Sequence, residues 1–506
     1  MRGRHEKRLE APVEMSVAHR HQWYQHILDA IPAIEKEAKA VARAEGLGRH
    51  AGRYGLYQGS SSTPGRLPDY VLDAIVRANR KEVLPARHIA DEIRELVKHV
   101  YGDEYDVCVT NTAEAGLRVA YETLMAPPSM RKGDQYRARV LQILGEDFEW
   151  GAGYGRAFPP RYKNLAIDRT VTGGELGIDG KSLNNLDTLF VRAPGVRYEI
   201  HGCKPNLVPL MADLDVDATL ARLSRTAERH AGTLTGVHAV GYDTPGWGFG
   251  ERDADGHPRL MKGMAALASD HDVPFVIDAA TCLPFVGLDP RRIGADVMIY
   301  SMDKAGRAPI SGLIIGRAEP LSAIRKSMGW DGPRTGGVSS YSKGVFSMHD
   351  PGRDSLVGLH AFLKTLVDDP KKVTDPVDGM HAILMEELAS FKPRRFANQL
   401  VVTKSHHMGG LELNYAGTWH GGNDGSGFGL PLFNLEDLYA DTNAIDRALV
   451  AMGQAPSTIY GGNVLIGPGL GLIDRQGDLL PEVARAAFRG LIKAFEIVAR
   501  HAGLED

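Results

Sequence analysis

The run Asp296-Val-Met-Ile-Tyr-Ser-Met-Asp-Lys-Ala-Gly-Arg-Ala-Pro-Ile-Ser-Gly-Leu-Ile-Ile-Gly316 sets two apolar strands around a polar turn that holds one lysine, Lys304. The first strand is expected over Val297 to Tyr300 and the second over Leu313 to Ile315. Upstream, Pro274-Phe-Val-Ile-Asp278-Ala-Ala-Thr281 predicts another buried strand, ending in a carboxylate. Short continuous apolar runs of this kind suit strands covered on both faces. Taken alone, a lysine in a turn between strands is an ordinary solvated side chain, so the surrounding chain has to decide what Lys304 is for.

From Asp106 onward, short apolar strands alternate with helices. Strands are expected at Val107–Thr110, Val140–Leu144, Thr188–Val191, Val237–Val240, Phe275–Ile277 and Val297–Tyr300. Helices are expected at Ala113–Met125, Asp217–His230 and Arg259–Asp270. That alternation predicts an α/β fold with a mainly parallel sheet and helices on both faces. Ligands of such sheets bind at the carboxyl ends of the strands, where Asp278 and Lys304 fall. Before this region, Trp23, Ile27, Ile31, Ile34, Ala38 and Val41 recur at helical spacing, giving an amphipathic helix over His19 to Glu45 that Pro32 should kink or divide. Residues 1–66 therefore read as a helical arm, free to pack on its own chain or on a partner. Residues 67–350 read as the large domain, and 351–506 as a helical link (Ser355–Asp368, Gly379–Phe391) with a smaller α/β domain closing in Pro481–Ala502. Within the large domain, 145–187 is aromatic and glycine-rich, too long for an ordinary connection. It reads as an insertion whose Phe148, Trp150, Tyr154 and Phe158 offer a stacking surface for substrate or cover a dimer contact.

Composition narrows the class. The chain has 506 residues, 43% hydrophobic and 24% charged, with a net charge of -4. No basic excess points to nucleic acid. No apolar run approaches the roughly 20 residues that cross a bilayer. Three scattered cysteines, Cys108, Cys203 and Cys282, make neither a disulfide framework nor a zinc site. Together with a charged N-terminus that lacks an apolar segment behind it, this predicts a cytoplasmic protein. Fifty-eight glycines cluster in turns, none followed by a helix start of the dinucleotide-binding kind.

A third element gives the lysine its context. Val107-Cys-Val-Thr110-Asn-Thr112-Ala-Glu-Ala-Gly116 predicts a strand, a polar turn and a helix. The helix N-terminus presents unpaired N–H groups and the positive end of a dipole, which suits a phosphate dianion. Thr110 or Thr112 is also placed to cap the helix, and the two roles are compatible. A phosphate turn, a strand-end carboxylate and a strand-end lysine suit pyridoxal 5'-phosphate (PLP). The lysine amine forms an imine with the aldehyde, and the carboxylate keeps the pyridine nitrogen protonated so that the ring accepts electrons.

In that order the three elements resemble the fold-type I PLP enzymes, the aspartate aminotransferase superfamily. The runs Asp106–Ala120, Val276–Gly316 and Val357–Leu366 are similar to the branch with bacterial selenocysteine synthase and D-glucosaminate-6-phosphate ammonia-lyase, over roughly residues 50 to 370. The resemblance implies a seven-stranded-type sheet, with Lys304 as the Schiff-base lysine and Asp278 as the pyridinium partner. Ala280 would lie against the ring, and Ser301 would join Asn111, Thr112 and Ala113 on the phosphate. Asp243 or Thr244 would face the ring hydroxyl. His201 would stack on the ring, a place for which Phe148 and Trp150 compete. The Thr335-Gly336 turn would reach the neighbouring subunit's phosphate, which implies a homodimer. Arg334, Arg353 and Arg475 are the candidates for a substrate carboxylate, beside Trp150 and Tyr154 on the substrate side. Asp303 next to the lysine, the missing basic excess and the long insertion depart from the branch and bear on the substrate.

Three functions follow. The first is Cα-carbanion chemistry on an amino-acid-type substrate, a β/γ-elimination or replacement that extends to carbon–carbon bond formation in specialised metabolism. The second is an aminotransferase or decarboxylase on the same fold. The third is a catalytically silent binding protein, against which the intact lysine and aspartate argue.

Overall fold

The computed structural model describes residues 17–50, 67–80, 85–125, 139–144, 206–209, 216–232, 234–241, 251–304, 307–330, 345–392, 400–414, 438–454, 459–460, 463–468 and 471–501, with a few isolated positions between them. These form two compact units.

The larger unit, Ser60–Val373 with His406–Gly409, is built on a seven-stranded sheet. In chain order its strands are β1 (Tyr105–Thr110), β4 (Arg139–Leu144), β5 (Asn206–Pro209), β6 (Leu234–Val240), β7 (Phe275–Asp278), β8 (Val297–Ser301) and β9 (Gly312–Arg317). A two-residue hairpin, β2 (Arg131–Lys132) with β3 (Gln135–Tyr136), stands apart from it. The sheet order is β1-β9-β8-β7-β6-β4-β5. Only β9 runs antiparallel to its neighbours, and β8, β7, β6, β4 and β5 are mutually parallel. Every residue of β1, β7 and β8 is buried, as continuous apolar strands between two helical layers require.

The register shows which helix lies on which face. Helix α4 (Ala113–Leu124) brings Gly116 against Ile299 of β8, whose Cγ2 would be 3.1 Å from an added Cβ. The next residue, Tyr300, points to the opposite face. There it lies near Tyr101 of helix α3 (Ala86–Tyr101), and burial raises the pKa of both phenols. Two further helices, α5 (Val216–Arg229) and α6 (Arg259–Asp270), connect the parallel strands. A short helix α7 (Pro290–Ile293) and helix α8 (Ala318–Met328) follow. Arg325 of α8 is buried and donates to Val107 O at 2.7 Å. It stands 3.7 Å from Asp106, which also pairs with Arg94 of α3.

Helix α9 (Arg353–Asp368) belongs to this unit, not to the C-terminal one, so the division differs from the expected boundary after residue 350. Its apolar stripe, Leu356, Leu359, Phe362, Leu363 and Leu366, is buried against α3 and helix α2 (Asp69–Arg80).

The second unit joins the N-terminal residues up to Gly59 to Thr374–Ser405 and Gly410–Asp506. The arm is thus part of the C-terminal core. Helix α1 (Val17–Ala44) buries Ile27, Ile34, Ala38 and Ala42 against α11 (Leu438–Ala451) and α12 (Pro481–His501). It runs through Pro32 without dividing: a missing backbone bond costs less than this apolar stripe gains by burial. Likewise α10 spans Lys371–Leu388, earlier at both ends than the expected 379–391, with Pro376 inside it. These helices cover an antiparallel sheet of order β10-β11-β13-β12, with β10 (Val401–Ser405), β11 (Gly410–Asn414), β12 (Ile459–Tyr460) and β13 (Asn463–Ile466). The expected strand Thr188–Val191 lies outside the described residues.

Glu387 gives this unit a pH dependence. Burial alone would raise its pKa, but hydrogen bonds from Arg489 and Arg485 outweigh burial and hold the carboxyl below its usual range. A lowered folded-state pKa adds stability that is complete above the unfolded-state pKa and is lost as pH falls through the folded one. Glu387→Gln should therefore lower Tm at neutral pH and lose that difference in acid. Thermal melts across pH 3 to 7 check this, and an equal Tm loss at every pH would contradict it.

Candidate active site

The carboxyl ends of β6, β7 and β8 are laced together by backbone bonds. Gly241 N–H donates to Asp278 O (2.7 Å), Ala279 N–H to Ile299 O (2.8 Å) and Ser301 N–H to Ala280 O (3.3 Å). Asp278 is only 1% exposed, and its Oδ1 accepts the Ala280 N–H at 3.0 Å. Its cross-strand partner is Ile299, and paired residues share a face. Asp278 therefore projects on the α4 side of the sheet, the side on which the candidate phosphate turn lies.

That turn is built by three threonine and glycine contacts. Thr112 is the N-cap of α4, its Oγ1 accepting the Ala115 N–H at 3.0 Å. Thr110 Oγ1 donates to Thr112 O at 2.8 Å. The turn lies directly on Gly312 of β9, where any Cβ would collide with Thr110 Oγ1 and Thr112 O. The first N–H groups of a helix have no intrahelical partner; with Ala115 taken by the cap, those of Ala113 and Glu114 face the helix end. Capping and an anion-facing helix end thus coexist. Asn111 is used differently: its N–H donates to His349 O at 2.8 Å, and its amide nitrogen is 3.5 Å from Met348 O. It anchors the turn to the 347–349 segment.

The lysine turn is folded back on itself. Lys304 is half-buried, and its N–H donates to Ser301 O at 3.2 Å. Ser301 Oγ donates to Asp303 Oδ1 at 2.7 Å, and Asp303 is fully buried. Arg307, three residues past the lysine, is 1% exposed and donates to Lys372 O at 3.1 Å. In a polar turn the sequence offers no sign that these two charged residues are interior.

Two histidines escaped the sequence reading. His238 of β6 pairs with Val276 and so shares the face of Asp278. Its ring meets Tyr121 of α4 edge-on at 5.5 Å, and burial pushes its pKa down to about 3. His407, from the turn of the β10–β11 hairpin, packs under the strand ends. A histidine within an apolar strand and one within a Ser-His-His-Met turn carry no periodic signal.

Of the remaining candidates, the structure describes Arg353 and Arg475. Arg353 donates to Asn79 Oδ1 at 3.0 Å and to Ala78 O, joining α9 to α2. Arg475 is an exposed residue of the other unit. His201, Trp150, Tyr154, Asp243, Thr244, Arg334, Thr335 and Gly336 lie outside the described residues. Among the described residues no cluster of acidic, histidine and cysteine side chains could hold a metal ion. No described helix is long and apolar enough to cross a membrane.

No family model matches the sequence, and no curated protein matches it. Among solved structures the chain is similar to D-glucosaminate-6-phosphate ammonia-lyase, at 14% identity and a TM-score of 0.42, over 89% of this chain and 97% of that one. It is similar to alanine–glyoxylate aminotransferase from Nostoc sp., at 13% identity and a TM-score of 0.47, over 89% and 96%. It is also similar to an omega-transaminase from Sphaerobacter thermophilus, at 15% identity and a TM-score of 0.49, over 86% and 83%.

Proposed function

We propose that the chain is a PLP-dependent enzyme acting on an amino-acid-type substrate. The observation that carries this is the buried Asp278 carboxylate, at the end of a parallel strand and on the same face as a capped helix N-terminus, one strand from the Lys304 turn. The residues fit the cofactor. Ala113 and Glu114 offer N–H groups to its phosphate, Lys304 offers an amine to its aldehyde, and Asp278 offers a buried acceptor to its ring nitrogen. When bound, PLP supplies an electron sink for a bond breaking at the substrate Cα.

The chain's own residues do the rest. Asp278 holds the ring-nitrogen proton. The Lys304 amine, which would hold the aldehyde, would also move the substrate Cα proton as general base and then acid. The similarity of three runs to the ammonia-lyase branch supports elimination or replacement at the β or γ carbon as the outcome. Borohydride reduction followed by peptide mapping should place the cofactor label on Lys304; a label on another lysine would overturn the assignment. Release of ammonia and a 2-oxo acid without an amino acceptor would support elimination. Conversion of the cofactor to its amine form would sink that outcome and favour transamination.

The same reading includes a homodimer. Val345 and Met348 are 79% and 74% exposed, beside the segment that anchors Asn111, and apolar side chains so placed suit a second copy of the chain. Sedimentation should give a dimer mass at micromolar concentration. A fully active monomer would contradict it.

A further inference from the structure

His407 stands 166 residues from the strand end it touches. Its Nε2 lies 3.2 Å from Gly241 O, and Cys282 Sγ donates to the same carbonyl at 3.0 Å. On the other side of that residue, Gly241 N–H is bonded to Asp278 O at 2.7 Å. Gly241 packs so closely that a Cβ there would lie 3.2 Å from Ala279 Cα. Both of Gly241's backbone polar groups are therefore held, and the hold ends on the residue proposed to face the ring nitrogen.

The histidine itself sits in a built seat. It is 3% exposed. Leu283 N–H donates to its carbonyl at 2.6 Å. Gly287, at φ +88°, leaves the room that a Cβ would take from the His407 side chain. Burial, with Arg252 nearby, pushes the imidazole pKa down to about 4, so the ring is neutral and carries one proton. Leu288 N–H approaches Nδ1 at 3.4 Å, and Val286 O lies 3.2 Å from the same nitrogen. With its proton on Nε2 the ring makes two hydrogen bonds, to Gly241 O and from the Leu288 N–H, whereas with its proton on Nδ1 it makes one, to Val286 O, so the Nε2 tautomer is favoured. That proton goes to Gly241 O.

We infer that His407 is a positioning residue of the candidate active site, which with Cys282 clamps the Gly241 peptide and through it fixes the backbone of Asp278. The inference rests on the PLP reading for its functional meaning, and on the hydrogen bonds alone for the clamp.

The amide-bearing variants separate this role from simple space filling. The amide nitrogen of Gln reaches the place of Nε2, whereas that of Asn reaches only the place of Nδ1. His407→Gln should keep PLP affinity within about threefold of the parent, while His407→Asn and His407→Phe should weaken it roughly tenfold or more, the order of one lost hydrogen bond. Affinity is read by titrating apo-protein with PLP and following visible absorbance. Hydrogen exchange of the Gly241 amide in apo-protein gives a second readout, with faster exchange expected in the Asn and Phe variants and parent-like exchange in the Gln variant. If the Phe variant does not fold, Cys282→Ala tests the same carbonyl and should speed that exchange. Parent-like exchange and affinity in His407→Asn, or equal losses in the Gln and Asn variants, would overturn the clamp. If the parent protein binds no PLP, the functional reading fails by itself, and Gly241 exchange alone then decides the clamp.

Discussion

Replacing Lys304 by alanine is expected to lower kcat by at least about a hundredfold to ten-thousandfold, the range contributed by a positioned general base. The amine has two tasks in the proposed chemistry, covalent attachment and proton movement at Cα, and alanine removes both. The other groups proposed to hold the cofactor, the helix end at Ala113 and Glu114 and the Asp278 carboxyl, are left unchanged by this substitution. Lys304→Ala should therefore still bind PLP, more weakly, with altered visible absorbance and no label after borohydride. Structure should be preserved because the turn is held by its neighbours: Asp303 by the Ser301 hydroxyl and Arg307 by Lys372 O. A variant that folds, binds PLP and turns over at the parent rate would refute the proposed role of Lys304.

Asp278→Asn carries the second-largest expected effect. The carboxylate is buried at 1% exposure, where a charged hydrogen-bond acceptor cannot be replaced by water. Asparagine keeps the shape and an acceptor oxygen for the Ala280 N–H, but it has no charge to hold a proton on a ring nitrogen. A hydrogen bond to a charged group is worth about 1.5–3 kcal/mol, roughly ten- to a hundredfold in rate. The loss should fall on kcat more than on PLP affinity, since the charge matters most when electrons enter the ring. Steady-state kinetics beside a PLP titration check this. An unchanged kcat would mean that another group holds the nitrogen.

Much of the large sheet was legible because buried parallel strands announce themselves. Phe275–Asp278 and Val297–Ser301 are short runs without a polar interruption, each ending where a polar residue appears, and the structure has strands there. The helix starting at Ala113 was legible from its cap, with Thr112 bonded to Ala115 N–H. The arm was not. Its 3.6-residue stripe identified a helix and an apolar face, but a stripe does not name its partner, which proved to be α11 and α12 at the far end of the chain. Pro32 misled for a related reason, since the local cost of a proline is visible in sequence and the burial that offsets it is not.

At the candidate site the chain alone determined which chemical groups stand at the strand ends: a carboxylate at Asp278, an amine in the turn after β8, and a capped helix after β1. Those are local properties, written by apolar runs and the polar residues that close them. Tertiary structure alone decided how the groups are held. Gly312 admits the Thr110–Thr112 turn, Asn111 is drawn to His349 O, Asp303 and Arg307 are interior, and His407 reaches Gly241 O. Periodicity reports which side of an element is apolar. It carries no record of which distant backbone carbonyl a polar side chain will meet, because that choice is made only when buried donors and acceptors must all be paired in the folded chain.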